Sequence, residues 1–231
     1  MLILITGMSG SGKTTVAEKL LQQLNRGAET VEATCTAQWE LISQDSYFCG
    51  EFVPYEVALR QGHTTIEDPS HIDFDKLKAA VREKLKKETN IILEGHALLS
   101  DKELHEMANI SILIDVDHEI CMERRISRKN RKTAEVDVYR TYYMKFVVPA
   151  HEKYQIPRIK QLTLLHQGEI TSSMNHKVEQ LTPAQESNTF KNDPGSGGLK
   201  SKDLLYVLDG SKTIDECVGA TIIIMQQYSR K

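Results

Sequence analysis

Nine residues near the start of the chain, "GMSGSGKTT" (Gly7 to Thr15), follow directly on the apolar run "MLILI". Gly7, Gly12, Lys13 and Thr14 satisfy the spacing G-x-x-x-x-G-K-[ST], which has meaning only between a strand and a helix. Both are predicted here. Leu2 to Ile5 are apolar on both faces, as a strand of a covered parallel sheet must be. From Lys13 onward Val16, Ala17, Leu20, Leu21 and Leu24 recur at the spacing of one helical face. In that setting glycines let backbone N–H groups turn inward around a polyphosphate, and the helix N-terminus adds its dipole. The candidate nucleotide-binding residues are therefore Gly7, Ser9, Gly10, Ser11, Gly12, Lys13, Thr14 and Thr15. Lys13 brings a point charge to the β- and γ-phosphates of ATP, and the Thr14 hydroxyl is a hard oxygen ligand for Mg²⁺.

The remainder alternates strand-like and helix-like segments. Short strands are predicted at Glu40 to Ser43, "NIILEG", "ISILIDV" and "LLYVLDG", the strand at Glu40 to Ser43 expected to lie beside the first strand of the chain. Helices are predicted over "DFDKLKAAVREKLKKE", around Glu103 to Met107, from Asp117 into the basic run, over about Val136 to Tyr154 with a bend or a break at Pro149, and over "TIDECVGATIIIMQQY". Such alternation implies a three-layer α/β fold, a central parallel sheet of about five strands with helices on both faces. The 231 residues form one domain, with a lid at about 124–145 and a polar insertion at about 161–202. "LTLLHQG", at the start of that insertion, is an alternative fifth strand to "LLYVLDG".

A net charge of -3 gives no prior for nucleic acid or an anionic membrane. Four cysteines far apart fit a reducing compartment and neither zinc nor a disulfide framework. No apolar run is long enough to span a bilayer. A cytoplasmic protein is expected, with room for a homo-oligomer.

Where the terminal phosphate goes depends on the strand ends, the edge at which open α/β sheets bind ligands. "SQDSYF" ends the second strand, and Asp45 there could orient or deprotonate an attacking hydroxyl or help hold Mg²⁺; as a bare aspartate it could equally cap a turn. Tyr47 and Phe48 could wall an acceptor pocket or pack the core. "ILEG" ends the third strand, and Glu94 is a second acid near the metal. His96 is a candidate polar wall. Arg124, Arg125 and Arg128 share one helical stretch and could close over a triphosphate, neutralising charge in the transition state.

Taken together, "GMSGSGKTT", "SQDSYF", "EDPSHIDFDKL", "LEGHALL", "IDVDHEICMERRISR" and "YYMKFVVPAHEKYQIP" resemble, in order and spacing over about residues 1–157, the uridine–cytidine kinases and their relatives the nicotinamide riboside kinases. "YVLDGSKTIDE" is closer to the latter. The resemblance implies a P-loop fold, ATP and Mg²⁺, and a nucleoside acceptor. It implies Asp45 as the catalytic aspartate facing the 5′-hydroxyl, Glu94 beside Mg²⁺, Arg124, Arg125 and Arg128 as lid arginines on phosphates, and Asp209 to Lys212 near adenine. Glu67 aligns with the family's aspartate on the ribose hydroxyls, with Asp68 next to it. Tyr142 stands where a glutamine often reads the pyrimidine. A uridine/cytidine kinase is the first expectation, a nicotinamide riboside or other small-molecule kinase the second. A regulatory ATPase module is the reading from another class, and it has no use for a base at Asp45.

Overall fold

The computed structural model describes residues 1–29, 38–64, 66–128, 133–170 and 205–230. Five parallel strands, β1 (Leu2–Thr6), β2 (Trp39–Ser43), β3 (Asn90–Gly95), β4 (Ile110–Asp115) and β5 (Leu205–Asp209), form one sheet in the order β2-β3-β1-β4-β5. The period-two alternation of each strand sorts its side chains onto two faces. Ile3, Ile5, Ile92, Ile112 and Ile114 point to one face, where α1 (Lys13–Glu29) and α9 (Ile214–Tyr228) cover them through Val16, Ala17, Leu20 and Val218. Leu2, Leu4, Ile91 and Leu93 point to the other, under Leu77 and Val81 of α3 (Phe74–Lys86) and Leu104 of α4 (Lys102–Met107).

The second strand is not the neighbour of the first. β3 lies between them, pairing Ile5 with Glu94 and, on its other edge, Glu94 with Ser43. Burial explains the order. Ile91, Ile92 and Leu93 are fully buried, so β3 needs cover on both faces and both edges. β2 has Glu40 and only one fully buried residue, Ile42, and its glutamate pairs with Lys84, so it suits an edge.

After β4 come α5 (His118–Arg128) and α6 (Thr133–Tyr142), then one π-helical turn, Tyr143–Val147, and α7 (Val148–Tyr154). The helix expected over about 136–154 is thus nearly continuous. Pro149 has no N–H to donate to Lys145, and the wider π turn just before it absorbs the missing bond. α8 (Ile156–Ile170) takes in the first ten residues of the expected insertion, including all of "LTLLHQG", which is helical; β5 is the last strand. Residues 171–204 lie outside the described residues, as do 129–132 of the expected lid. An element not expected from the sequence is α2 (Tyr55–Gln61), a short helix whose buried Ala58 and partly buried Tyr55 join Tyr139, Tyr142 and Tyr143 in a small core.

Leu77, in the first turn of α3, is fully buried. Leu77→Ala should cost about 2–5 kcal/mol by transfer and cavity terms. Thermal unfolding should show a lower midpoint, with ATP affinity unchanged at low temperature.

Candidate active site

β1 ends at Thr6, and the chain turns through Gly7–Gly12 into α1. Gly10 (φ +98°) and Gly12 (φ +96°) have backbone conformations that side chains rarely adopt. A Cβ on Gly10 would also lie 2.9 Å from the carbonyl carbon of Cys121, so α5 packs directly against the loop. The Ser9 carbonyl accepts from Tyr143 Oη at 2.8 Å. Arg124 donates to the Ser11 carbonyl at 3.2 Å and to the Gly210 carbonyl at 3.0 Å. The loop is thereby fixed to the lid helices and to the turn after β5 before any ligand binds.

Glu94 is 2% exposed at the end of β3. Its carboxylate accepts from Thr14 Oγ1 at 2.9 Å and from Ser43 Oγ at 2.5 Å. Among the described residues no group of three or more His, Cys, Asp or Glu is arranged to hold a metal. One hydroxyl and one buried carboxylate do fit Mg²⁺, which commonly uses few protein ligands and takes the rest from phosphates and water. The buried Ser11 Oγ, with no partner, fits a bound phosphate in the same way.

Lys13, Asp45, Glu67 and Arg125 interact electrostatically around the mouth of this loop. Burial pulls the Lys13 ammonium below its ordinary range, and Glu94 and Asp45 oppose the shift. Asp45 is exposed in the 3₁₀ turn Gln44–Tyr47 that follows β2. Arg125 donates from Nε to Tyr139 Oη at 3.0 Å. Arg128 is exposed at the end of α5. Arg124, with both donors on backbone carbonyls, ties loops together in this arrangement rather than reaching outward.

The structure separates Glu67 from Asp68. Asp68 caps the turn Pro69–His71, accepting from the Ser70 amide at 2.9 Å, and also accepts from Tyr154 Oη at 3.3 Å. Those bonds hold its carboxyl below the ordinary range. Glu67 instead lines a cleft with Met8, His96, Ala97 and His151. Burial pushes its carboxyl from 4.5 up to about 7, against the pull of Arg125 and Lys13. Tyr142, buried with its hydroxyl 3.0 Å from Thr64 Oγ1, also bonds Glu67. Its ring packs against Tyr55 at 4.6 Å and Phe146 at 5.3 Å, so it acts on the cleft through Glu67.

Tyr47 packs into the core beside α3, while Phe48 forms an isolated bridge with Ile72. Asp209 accepts from the Ser211 amide at 2.9 Å, shaping the turn that carries Lys212. His96 is held neutral: burial and the Lys13 charge lower its pKa to about 4. Sequence reading missed Gln44, Tyr139 and Tyr143. Their partners are 52, 14 and 134 residues away, separations at which no motif registers. Among the described residues, Cys49, Cys121 and Cys217 are free thiols, and no helix is long and apolar enough to cross a membrane.

A folded carboxyl raised to about 7 from 4.5 binds its proton more tightly than in the unfolded chain. Stability therefore falls as pH rises between those values, and the full cost is present above about pH 7. Glu67→Gln should raise the melting midpoint at about pH 8, by about 2–4 °C per kcal/mol relieved, and change it little near about pH 4.

The sequence profile of a family described as "AAA domain" matches residues 3–141, more than half the chain. A uridine kinase of Salmonella paratyphi B is 30% identical over 175 residues, covering 64% of this chain and 78% of the relative. A uridine kinase of Brevibacillus brevis is 29% identical over 184 residues, covering 68% and 79%. Uridine kinase-like protein 3 of Arabidopsis thaliana is 26% identical over 177 residues; the match covers 70% of this chain but 38% of that longer protein. A gluconokinase from Sinorhizobium meliloti superposes with a TM-score of 0.43 at 13% identity, over 99% of this chain and 96% of its own. The fold assignment rests on strand order and register, not on that superposition.

Proposed function

This chain belongs to the uridine kinase-like P-loop kinases, and we propose that its acceptor is a ribonucleoside, uridine or cytidine first, phosphorylated at the 5′-hydroxyl from ATP. The observation that carries the proposal is the pair of carboxylates, Asp45 and Glu67, standing with Lys13 and Arg125 on the acceptor side of the phosphate loop. A hydrolase acting on water has no need of two acids there.

Each residue has work to do. Asp45, solvent-exposed and not held by another side chain among the described residues, takes the proton of the acceptor hydroxyl as its oxygen forms the new bond to the γ-phosphorus. The bond from that phosphorus to the β-bridging oxygen breaks, and ADP leaves. Glu67, which Tyr142 orients, accepts from the ribose hydroxyls. Lys13 and Arg125 face the transferring phosphoryl group and offset the charge that spreads over its oxygens. Thr14 and Glu94 would hold Mg²⁺, which when bound supplies charge neutralisation between the β- and γ-phosphates. Asp209 to Lys212 would lie beside the adenine.

ATP consumption with Mg²⁺ and no acceptor, uridine, cytidine or nicotinamide riboside tests the proposal. Stimulation by uridine or cytidine supports it. Stimulation by nicotinamide riboside alone moves the acceptor to the second expectation, and equal turnover in every tube favours a regulatory ATPase. Asp45→Asn should lower kcat by about 10²–10⁴ while ATP affinity stays within about twofold. An unchanged kcat would remove Asp45 from the chemistry.

A further inference from the structure

Gln44, buried, and His96, half-buried, form a pair whose hydrogen bonds fix more than their positions. The Ala97 amide donates to Gln44 Oε1 at 2.9 Å. Only the carbonyl end of an amide can accept that bond, so Gln44 presents its NH₂ group, Nε2, to His96 Nδ1 at 3.2 Å. Nδ1 is therefore the bare nitrogen and the single ring proton sits on Nε2. His96 Nε2 is itself buried, with no partner among the described residues. An unpartnered buried N–H is costly, and its persistence calls for a ligand atom that accepts.

Gly95 belongs to the same device. A Cβ there would overlap the side chain of Gln44. The glycine between the metal-side acid and the histidine is thus needed for close approach, leaving room for the amide that orients the ring.

The surroundings say which ligand atom. His96 lines the cleft with Glu67, Ala97, Val147, Ala150 and Tyr154. Carboxylates such as Asp45 and Glu67 match hydroxyl donors on a sugar. The apolar Met8, Ala97, Val147 and Ala150 share these walls with the polar Ser9, His151 and Gln155, and a neutral N–H facing the apolar part matches the carbonyl of a planar ring. In this conformation the cleft has about 20 Å³, room for one water, so α7, which carries Ala150 and Tyr154, must swing outward to admit a ring.

We infer that His96, locked by Gln44 as the Nε2–H tautomer, is a specificity residue that donates to a carbonyl of the acceptor's base and disfavours an amino group there, with Gln44 as its positioning residue. The inference rests on the nucleoside reading above and goes beyond it, since that reading takes uridine and cytidine alike. The two nucleosides differ by a ring carbonyl exchanged for an amino group, which makes them the probes.

Two measurements test it. Long-range ¹H–¹⁵N correlation spectra of the labelled full chain distinguish protonated from bare ring nitrogens and need no substrate. Wild type should show His96 protonated at Nε2 alone, and Gln44→Leu should show a mixture of tautomers. In steady-state assays wild type should favour uridine over cytidine in kcat/KM by about tenfold, the worth of one buried hydrogen bond. His96→Phe should remove that preference mainly through KM for uridine. His96→Gln, which keeps an N–H donor near the same place, should restore part of it, and Gln44→Leu should fall between. A bare Nε2 in wild type, or a uridine-to-cytidine ratio that His96→Phe leaves unchanged, overturns the inference alone. Wild type inert toward both nucleosides overturns the nucleoside reading, and the inference about a base carbonyl falls with it.

Discussion

A carboxylate with 2% of its surface exposed must be satisfied by donors or by a cation, and Glu94 is satisfied by two hydroxyls from different elements. Thr14 belongs to the first turn of α1 and Ser43 to the last residue of β2. The acid sits on β3, between the edge strand and β1, so these two bonds draw the phosphate loop, the acceptor-side turn and the sheet to one point. Asp45 stands where it does because Ser43, two residues earlier, is anchored there. Gln44 lies between them and turns inward, buried, to the backbone of Ala97. Three consecutive side chains thus point three ways: Ser43 to Glu94, Gln44 to Ala97 and His96, and Asp45 to the surface.

The lid side is built on different physics. Tyr55, Tyr139, Tyr142, Tyr143 and Phe146 pack as one aromatic cluster, in which the hydroxyls of Tyr139, Tyr142 and Tyr143 each meet a specific partner. Tyr143 reaches the Ser9 carbonyl, Tyr139 reaches Arg125, and Tyr142 reaches Thr64 and Glu67. Aromatic rings give large contact area, and each polar tip carries the position of α6 and the π turn to a group in the site. The burial that makes this precise also taxes Glu67, whose carboxyl is lifted to about 7.

Electrostatics divides the arginines of α5. Arg125 interacts with Glu67, which lines the cleft, while Arg124 is committed to two carbonyls that join the phosphate loop to the turn after β5. That bridge matters because Gly210 itself is pressed against Val116 and Ile114, so the turn has little freedom to move on its own. Residues adjacent in a basic run therefore differ in what their charge can do, a difference set by the 100° of helix rotation between them.

The sequence by itself determined the layers, the phosphate loop and the acids at the strand ends. These follow from local rules: unbroken apolar runs on β1 and β3, glycines ahead of a helix N-terminus, a charge closing an apolar run. It did not determine the strand order, because β2 and β3 each carry parallel-strand signals and only the competition for two-sided burial puts β3 in the centre. Nor did it show which of Glu67 and Asp68 faces the cleft. Both are adjacent carboxylates in the chain, and the choice is made when Ser70 turns back to cap Asp68. Gln44 was invisible as a functional residue, since its meaning lies in bonds to Ala97 and His96 across 53 and 52 residues. Periodicity and motif record what a residue does to its own element. Tertiary structure alone decides which distant donor meets which acceptor, and here that decision places the proton on His96.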